Sequence, residues 1–280
     1  MNNEGGQKIK RRVTMFKRIG YAASIGEKSI YDSINFAYEN HMNAVEINAN
    51  VPIYFPENFS LEDRKKIKEY AKNKNVLLTI HAPEDITLLQ LHKTVRESGI
   101  SRLKEIINFG KDIGARSLTL HVGSAVTFTL VNGKSYMDEF YQDEFKKILE
   151  DTLLELIKEA NGKIKIAVEN SGRFPKKVVQ EILQKLLNRN EDIYLTWDIG
   201  HSYENKYAEV EFFIKNINKI RTCHIHDNNG KSDHQIPGEG NLDFNKHFEL
   251  MKDKDIVYII EVRPRENAVK SFKVLKTLYP

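Results

Sequence analysis

The chain has a single cysteine, Cys223, in 280 residues. One thiol closes no intramolecular disulfide, so no disulfide scaffold holds the fold and a reducing cytoplasm is the expected setting. Cys223 falls inside an apolar run, where a buried, unreactive thiol is expected. No apolar run approaches the roughly 18 residues of a membrane span, so no membrane partner is expected. The opening MNNEGGQKIKRRVTMFKR is basic, but it lacks the apolar stretch of a secretory signal and the amphipathic Arg/Ser pattern of an organelle signal. It reads as a disordered basic leader over 1–16, ahead of one domain at 17–280. A basic body is missing too. The net charge is +4, yet Lys8, Lys10, Arg11, Arg12, Lys17 and Arg18 against Glu4 leave the remainder near −1. Nucleic-acid binding leaves a basic footprint that this average does not show.

What is present is a repeated alternation. Short runs rich in Ile, Val, Leu and Thr lie at 18–24, 44–50, 77–83, 117–124, 165–171, 193–199, 220–227 and 256–263. Helical patterns lie between them at 28–40, 61–73, 94–113, 138–160, 176–188, 206–218, 244–252 and 266–277, with stops such as Gly114 and Asn161-Gly162. Such units imply parallel strands joined by right-handed crossovers. Eight of them predict a closed (β/α)8 barrel in a single domain. An open dinucleotide-binding sheet would carry a glycine series after its first strand, and SIGEKS has none.

Chemistry gathers where the strands end. Glu46, His81, His121, Glu169, Asp198 with His201, His224 with His226 and Asp227, and Glu261 occupy seven of the eight ends. A β/α barrel brings those ends to one mouth, where active sites are built. One such histidine alone would be a loop anchor. Three carboxylates in one mouth repel one another unless neutralised, and imidazole plus carboxylate is the donor set of Zn, Mn and Co. The spacing therefore predicts a divalent-metal site, for Zn, Mn, Co or Mg. Gly123 and Gly172 fit tight turns beside it. The loop 228–241, with His234, is long enough to fold over the mouth. His226 and Asp227 read as orienting His224. Trp197 faces the helices, and IYFPENF at 53–59 reads as a sugar-stacking wall, as core or as a subunit contact in a homo-oligomer.

IHAP (80–83), LHVGS (120–124), VENSG (168–172), DIGH (198–201), HIHDNNGKSDHQIPGEG (224–240) and EVRP (261–264), in that order, resemble the xylose isomerase-like TIM barrel superfamily. In its sugar isomerases and epimerases the resemblance implies one metal on Glu169, Asp198, His224 and Glu261. Glu169 and Glu261 would be the acid/base pair acting on a small sugar. His201 would bind substrate oxygens, with Glu46 and His226 nearby. Arg263 would either neutralise a substrate anion or form a surface ion pair. The same superfamily contains endonuclease IV, a three-zinc enzyme acting on abasic DNA, and His81, His121, His201 and His234 fall at its additional ligand positions. Two or three ions are the alternative for that reason. Against it, Ser232 stands where that enzyme has an aspartate, IGYAAS lacks its opening histidine, and Pro83-Glu84-Asp85 would repel phosphate. The 226–240 loop is closer to sugar phosphate isomerases and epimerases, so a metal-dependent sugar or sugar-phosphate isomerase is expected. A non-enzymatic regulator or sugar sensor would leave the carboxylates idle.

Overall fold

In a computed structural model, residues 16–189 and 191–279 are described. Most of the expected leader, 1–15, lies outside them; Phe16, its last residue, packs edge-on against Phe248 and Tyr258 in the core.

The chain runs β1 (Ile19–Ala23), α1 (Ile30–Glu39), β2 (Ala44–Asn48), α2 (Leu61–Asn73), β3 (Leu77–His81), α3 (Lys93–Ile113) and β4 (Ser117–Leu120). A hairpin of β5 (Thr127–Leu130) and β6 (Gly133–Tyr136) then leads through α4 (Met137–Phe140) to α5 (Gln142–Ala160). β7 (Lys165–Glu169), α6 (Lys177–Asn188), β8 (Ile193–Asp198), α7 (Ile199–Glu204), α8 (Val210–Lys215), β9 (Ile220–Ile225), α9 (Phe244–Met251), β10 (Val257–Ile260) and α10 (Arg265–Leu278) complete it. The eight strands other than the hairpin form a closed parallel barrel, shut by β1 against β10. The expected (β/α)8 barrel is thus the fold.

Local chemistry sets the element ends. Ser60 and Asp63 form a reciprocal capping box at the start of α2, an arrangement in which losing the cap costs about 1 kcal/mol. Gly114 closes α3 in the left-handed region at φ 73°. Along each strand alternate side chains face the barrel axis and the surrounding helices. Ala22, Ala44, Val257 and Ile259 fill one small interior cluster. Hydroxyls bridge the interior elsewhere, with Ser117 Oγ 3.1 Å from Thr222 Oγ1 and Thr119 Oγ1 3.0 Å from Thr196 Oγ1. Outside the barrel lies the continuous apolar layer, where Trp197 stacks on Phe213 and Cys223 is fully buried.

Two expectations change. The helix expected over 138–160 breaks at Tyr141, and the hairpin ahead of it was not anticipated. The helix expected at 206–218 shortens to α8, and an unanticipated helix, α7, precedes it, capped by Asp198, which accepts the His201 N–H at 2.8 Å. Most of the 53–59 segment is core: Tyr54 is buried and bonds Ser33 Oγ, and Phe59 stacks on Phe109. Phe55 lines a 210 Å³ cavity with Pro83 and Arg102.

Candidate metal centre

The strand ends bring Glu169, Asp198, His224 and Glu261 together, with His81, His121 and His201 around them. Nδ1 of His224 lies 3.4 Å from Glu169 Oε2, 3.6 Å from Glu261 Oε1 and 3.9 Å from Asp198 Oδ2. On the other side, Glu169 Oε2 is 3.2 Å from His121 Nε2 and 3.4 Å from His81 Nε2. Its Oε1 turns toward His201 Nδ1 at 3.1 Å.

The donor atoms crowd without all being bonded. Glu169 Oε1, His201 Nδ1, both ring nitrogens of His224 and Glu46 Oε1 are buried and have no hydrogen-bond partner among the described residues. Native proteins rarely leave such groups orphaned. Zinc ligands at about 2.0–2.1 Å stand roughly 3.3–3.4 Å apart on a tetrahedron, and the spacing around His224 Nδ1 is close to that. The donor set therefore fits a divalent ion. Three groupings are in reach in this cluster, Glu169–Asp198–His224, His81–His121–Glu169 and His81–His224–Glu261, the first two sharing Glu169.

Charge in the site balances internally. Burial opposes protonation of His81, but Glu169, Glu46 and Glu261 hold its pKa up at about 9. His201 is likewise held at about 10, against burial, by Asp198, Glu169 and Glu261. His224 is raised well above the ordinary value, against burial, by Glu261, Glu46 and Glu169. Burial alone would raise Glu169 and Asp198, yet the facing imidazoles hold both low. The carboxylates are thus reconciled by imidazolium protons as well as by any cation, which the repulsion argument from sequence overlooked.

The surrounding residues have separate tasks. Glu46 is fully enclosed, with Oε1 2.8 Å from His224 Nε2 and Oε2 accepting from Thr79 Oγ1. The position expected to bind substrate therefore lies fully buried beside His224 Nε2. His226 is also fully buried: its Nδ1 accepts the His234 N–H, which leaves Nε2–H to donate to Asp198. It links Asp198 to the loop after β9. His234 donates from Nδ1 to the Glu261 carbonyl and sits beside His201 and His226, apart from the main cluster. Arg263 is exposed, bonded by Nε to Ser24 Oγ; no carboxylate pairs with it among the described residues. The surface ion pair weighed for it is therefore absent from the described residues.

Sequence reasoning missed Asp227's own task. Its carboxylate accepts four backbone N–H groups, from Asn228, Gly238, Gly240 and Leu242, and so pins the loop after β9. Gly240 is required there, since a Cβ would fall 2.2 Å from Asp227 Oδ1. Gly172, at φ 56°, lets the loop after β7 touch the Gly123 carbonyl of the loop after β4. Arg173 forms a buried two-pronged pair with Asp138 and lies over the Tyr136 ring, anchoring the hairpin base.

With this geometry in place, residues 14–278 match the family described as xylose isomerase-like TIM barrel. The chain belongs to that family. It is similar to the uncharacterised protein MJ1614 of Methanocaldococcus jannaschii, at 27% identity over 70% of this chain and 74% of that one. Among solved structures it is similar to a D-tagatose 3-epimerase-like protein, with TM-score 0.71, 24% identity and coverage of 93% and 96%. It is also similar to the IOLI protein with a bound zinc atom, with TM-score 0.70, 17% identity and coverage of 94% and 99%. No helix among the described residues is long and apolar enough to cross a membrane.

Proposed function

We propose that this barrel is a divalent-metal-dependent isomerase or epimerase of a sugar or sugar phosphate. The observation that carries the reading is that carboxylates of Glu169, Asp198 and Glu261 all lie within 3.9 Å of the buried His224 Nδ1, with donor atoms left unbonded. The epimerase-like and zinc-bearing neighbours of the same fold support it.

Glu169, Asp198, His224 and Glu261 would hold the ion, one of Zn, Mn, Co or Mg. Bound there, it supplies polarisation of a carbonyl and adjacent hydroxyl, which acidifies the C–H between them. Glu169 and Glu261 reach the centre from β7 and from the end of β10. One takes the carbon-bound proton and the other returns a proton at the opposite face or the neighbouring carbon. Both are held ionised in the resting site, so the returning group takes up a proton first. His201, carrying its proton at neutral pH, donates to a substrate oxygen. Arg263, unpaired beyond β10, meets an anionic substituent where the substrate has one. The loop pinned by Asp227 limits water at the reacting carbon.

A multinuclear phosphodiesterase is the second reading, favoured by the His81–His121–Glu169 grouping. Against it stand the exposed Glu84 and Asp85 beside the mouth and Ser232 in the loop. The deciding experiment incubates purified, metal-analysed protein with a panel of ketoses and ketose phosphates in D2O. NMR should show deuterium entering next to the carbonyl, with loss of exchange in Glu261→Gln. No exchange with any sugar, together with cleavage of an abasic duplex, would overturn the reading.

A further inference from the structure

Directly behind the centre lies a second buried carboxylate that the proposed reaction does not use. Glu209 has no solvent exposure. It stands at the position preceding α8, yet its side chain makes no capping bond to that helix. The carboxylate turns inward instead. Oε1 accepts from Asn170 Nδ2 at 2.9 Å and from Ser202 Oγ at 3.0 Å, while Oε2 is buried with no partner among the described residues.

Asn170 is the residue after Glu169. Its side-chain amide bonds the backbone of Asp198 in both directions: Oδ1 accepts the Asp198 N–H at 2.7 Å, and Nδ2 donates to the Asp198 carbonyl at 2.8 Å. The backbone register between β7 and β8 ends at Glu169 opposite Thr196. One amide therefore continues the ladder by a further step, tying the two residues that carry Glu169 and Asp198. Nδ2 has two hydrogens, one for Asp198 and one for Glu209. Asp198's own N–H and carbonyl set which way the amide faces, and Glu209 holds the remaining Nδ2 hydrogen, which anchors the amide between β7 and β8. Ser202 also accepts Trp197 Nε1–H at 2.9 Å, which fixes its hydroxyl hydrogen toward Glu209.

We propose that Glu209 is a positioning residue that locks the Asn170 amide and thereby sets the spacing of Glu169 and Asp198 for the bound ion. The proposal rests on the reading of those two residues as metal ligands. A carboxylate buried for packing alone would be poorly chosen, because an apolar side chain of that size removes the desolvation cost. Outer groups that orient ligands typically change metal affinity by about 10–100-fold when removed.

The test titrates Co²⁺ into full-length, metal-free protein, following the visible absorption of the bound ion and the thermal midpoint of the metal-free form. Glu209→Gln keeps an acceptor oxygen for Asn170 and Ser202 and should bind within about threefold of wild type with an unchanged spectrum. Glu209→Ala should bind at least about tenfold more weakly and shift the absorption band while remaining folded. If it does not fold, Glu209→Asp, which withdraws the carboxylate by one carbon, should shift the band where Gln does not. Wild-type affinity and spectrum in a folded Ala or Asp variant would overturn the proposal. Absence of Co²⁺ binding by wild type would overturn the metal reading itself, a separate result.

Discussion

Loading the centre with zinc should release protons, and the number follows from the charges around it. The carboxylates Glu169, Asp198 and Glu261 face His81, His201 and His224, whose pKa values all stand above the ordinary 6.5. His224 presents Nδ1 to the centre, so an ion bound there must displace the proton that this nitrogen carries at neutral pH. That sets a lower bound of about one proton per ion. Replacing two imidazolium charges by one divalent charge restores neutrality, which sets an upper bound of about two. Because the metal-free form holds the extra protons, raising pH strengthens binding, by at least about tenfold or 1.4 kcal/mol per unit while His224 remains protonated. Calorimetric titration at pH 7 in two buffers of different ionisation heat counts the protons directly. Release of less than about half a proton per ion would refute the assignment of His224 Nδ1 as a ligand.

Removing metal exposes the same linkage in stability. His81, raised to about 9, stabilises the metal-free fold fully below pH 6.5, and that contribution is lost as pH rises through 9; urea midpoints of chelated protein should fall over that window and those of loaded protein should not. Arg173→Ala leaves Asp138 buried without its partner and should cost about 3–5 kcal/mol in urea unfolding, with earlier proteolysis in 127–136. Asp227→Asn turns an NH2 group toward two backbone donors and should cost about 1–3 kcal/mol, with faster hydrogen exchange over 236–242 as the check.

The barrel was legible because eight apolar runs repeat at barrel spacing. The cluster was legible because a histidine or acid ends seven of the eight runs, and a barrel brings those ends together. Other parts were not. Asn170 looks like any polar residue after a strand, and its pairing with Asp198 exists only once β7 and β8 are side by side. Glu209 sits in a stretch of charged and polar residues, YENKYAEVEFF, that reads as a solvated helix face; nothing local shows that it is buried. For Glu46 and His226, alternation gives the facing side but not the full burial that both show. The hairpin carried one signal, the Asn132-Gly133 turn, but its strands pair only with each other and expose Phe128 and Leu130, so no core pattern marks them.

The number of ions and the kind of chemistry are linked through one side chain. Glu169 divides its oxygens, Oε2 toward His81, His121 and His224, and Oε1 toward His201. With one ion on the His224 side, the second oxygen remains available to take a proton from carbon. Both groupings that include Glu169 face the same oxygen, Oε2, so an ion in each would share it, and a second cation on one carboxylate lowers its basicity. The proton-transfer role and the bridging role therefore oppose each other. Zinc beyond one equivalent should suppress deuterium exchange into a sugar substrate, with half-inhibition tracking occupancy of the His81–His121 side, and His121→Ala should relieve it. Exchange that instead rises with the second equivalent would show that Glu169 is not the base and would transfer that role to Glu261.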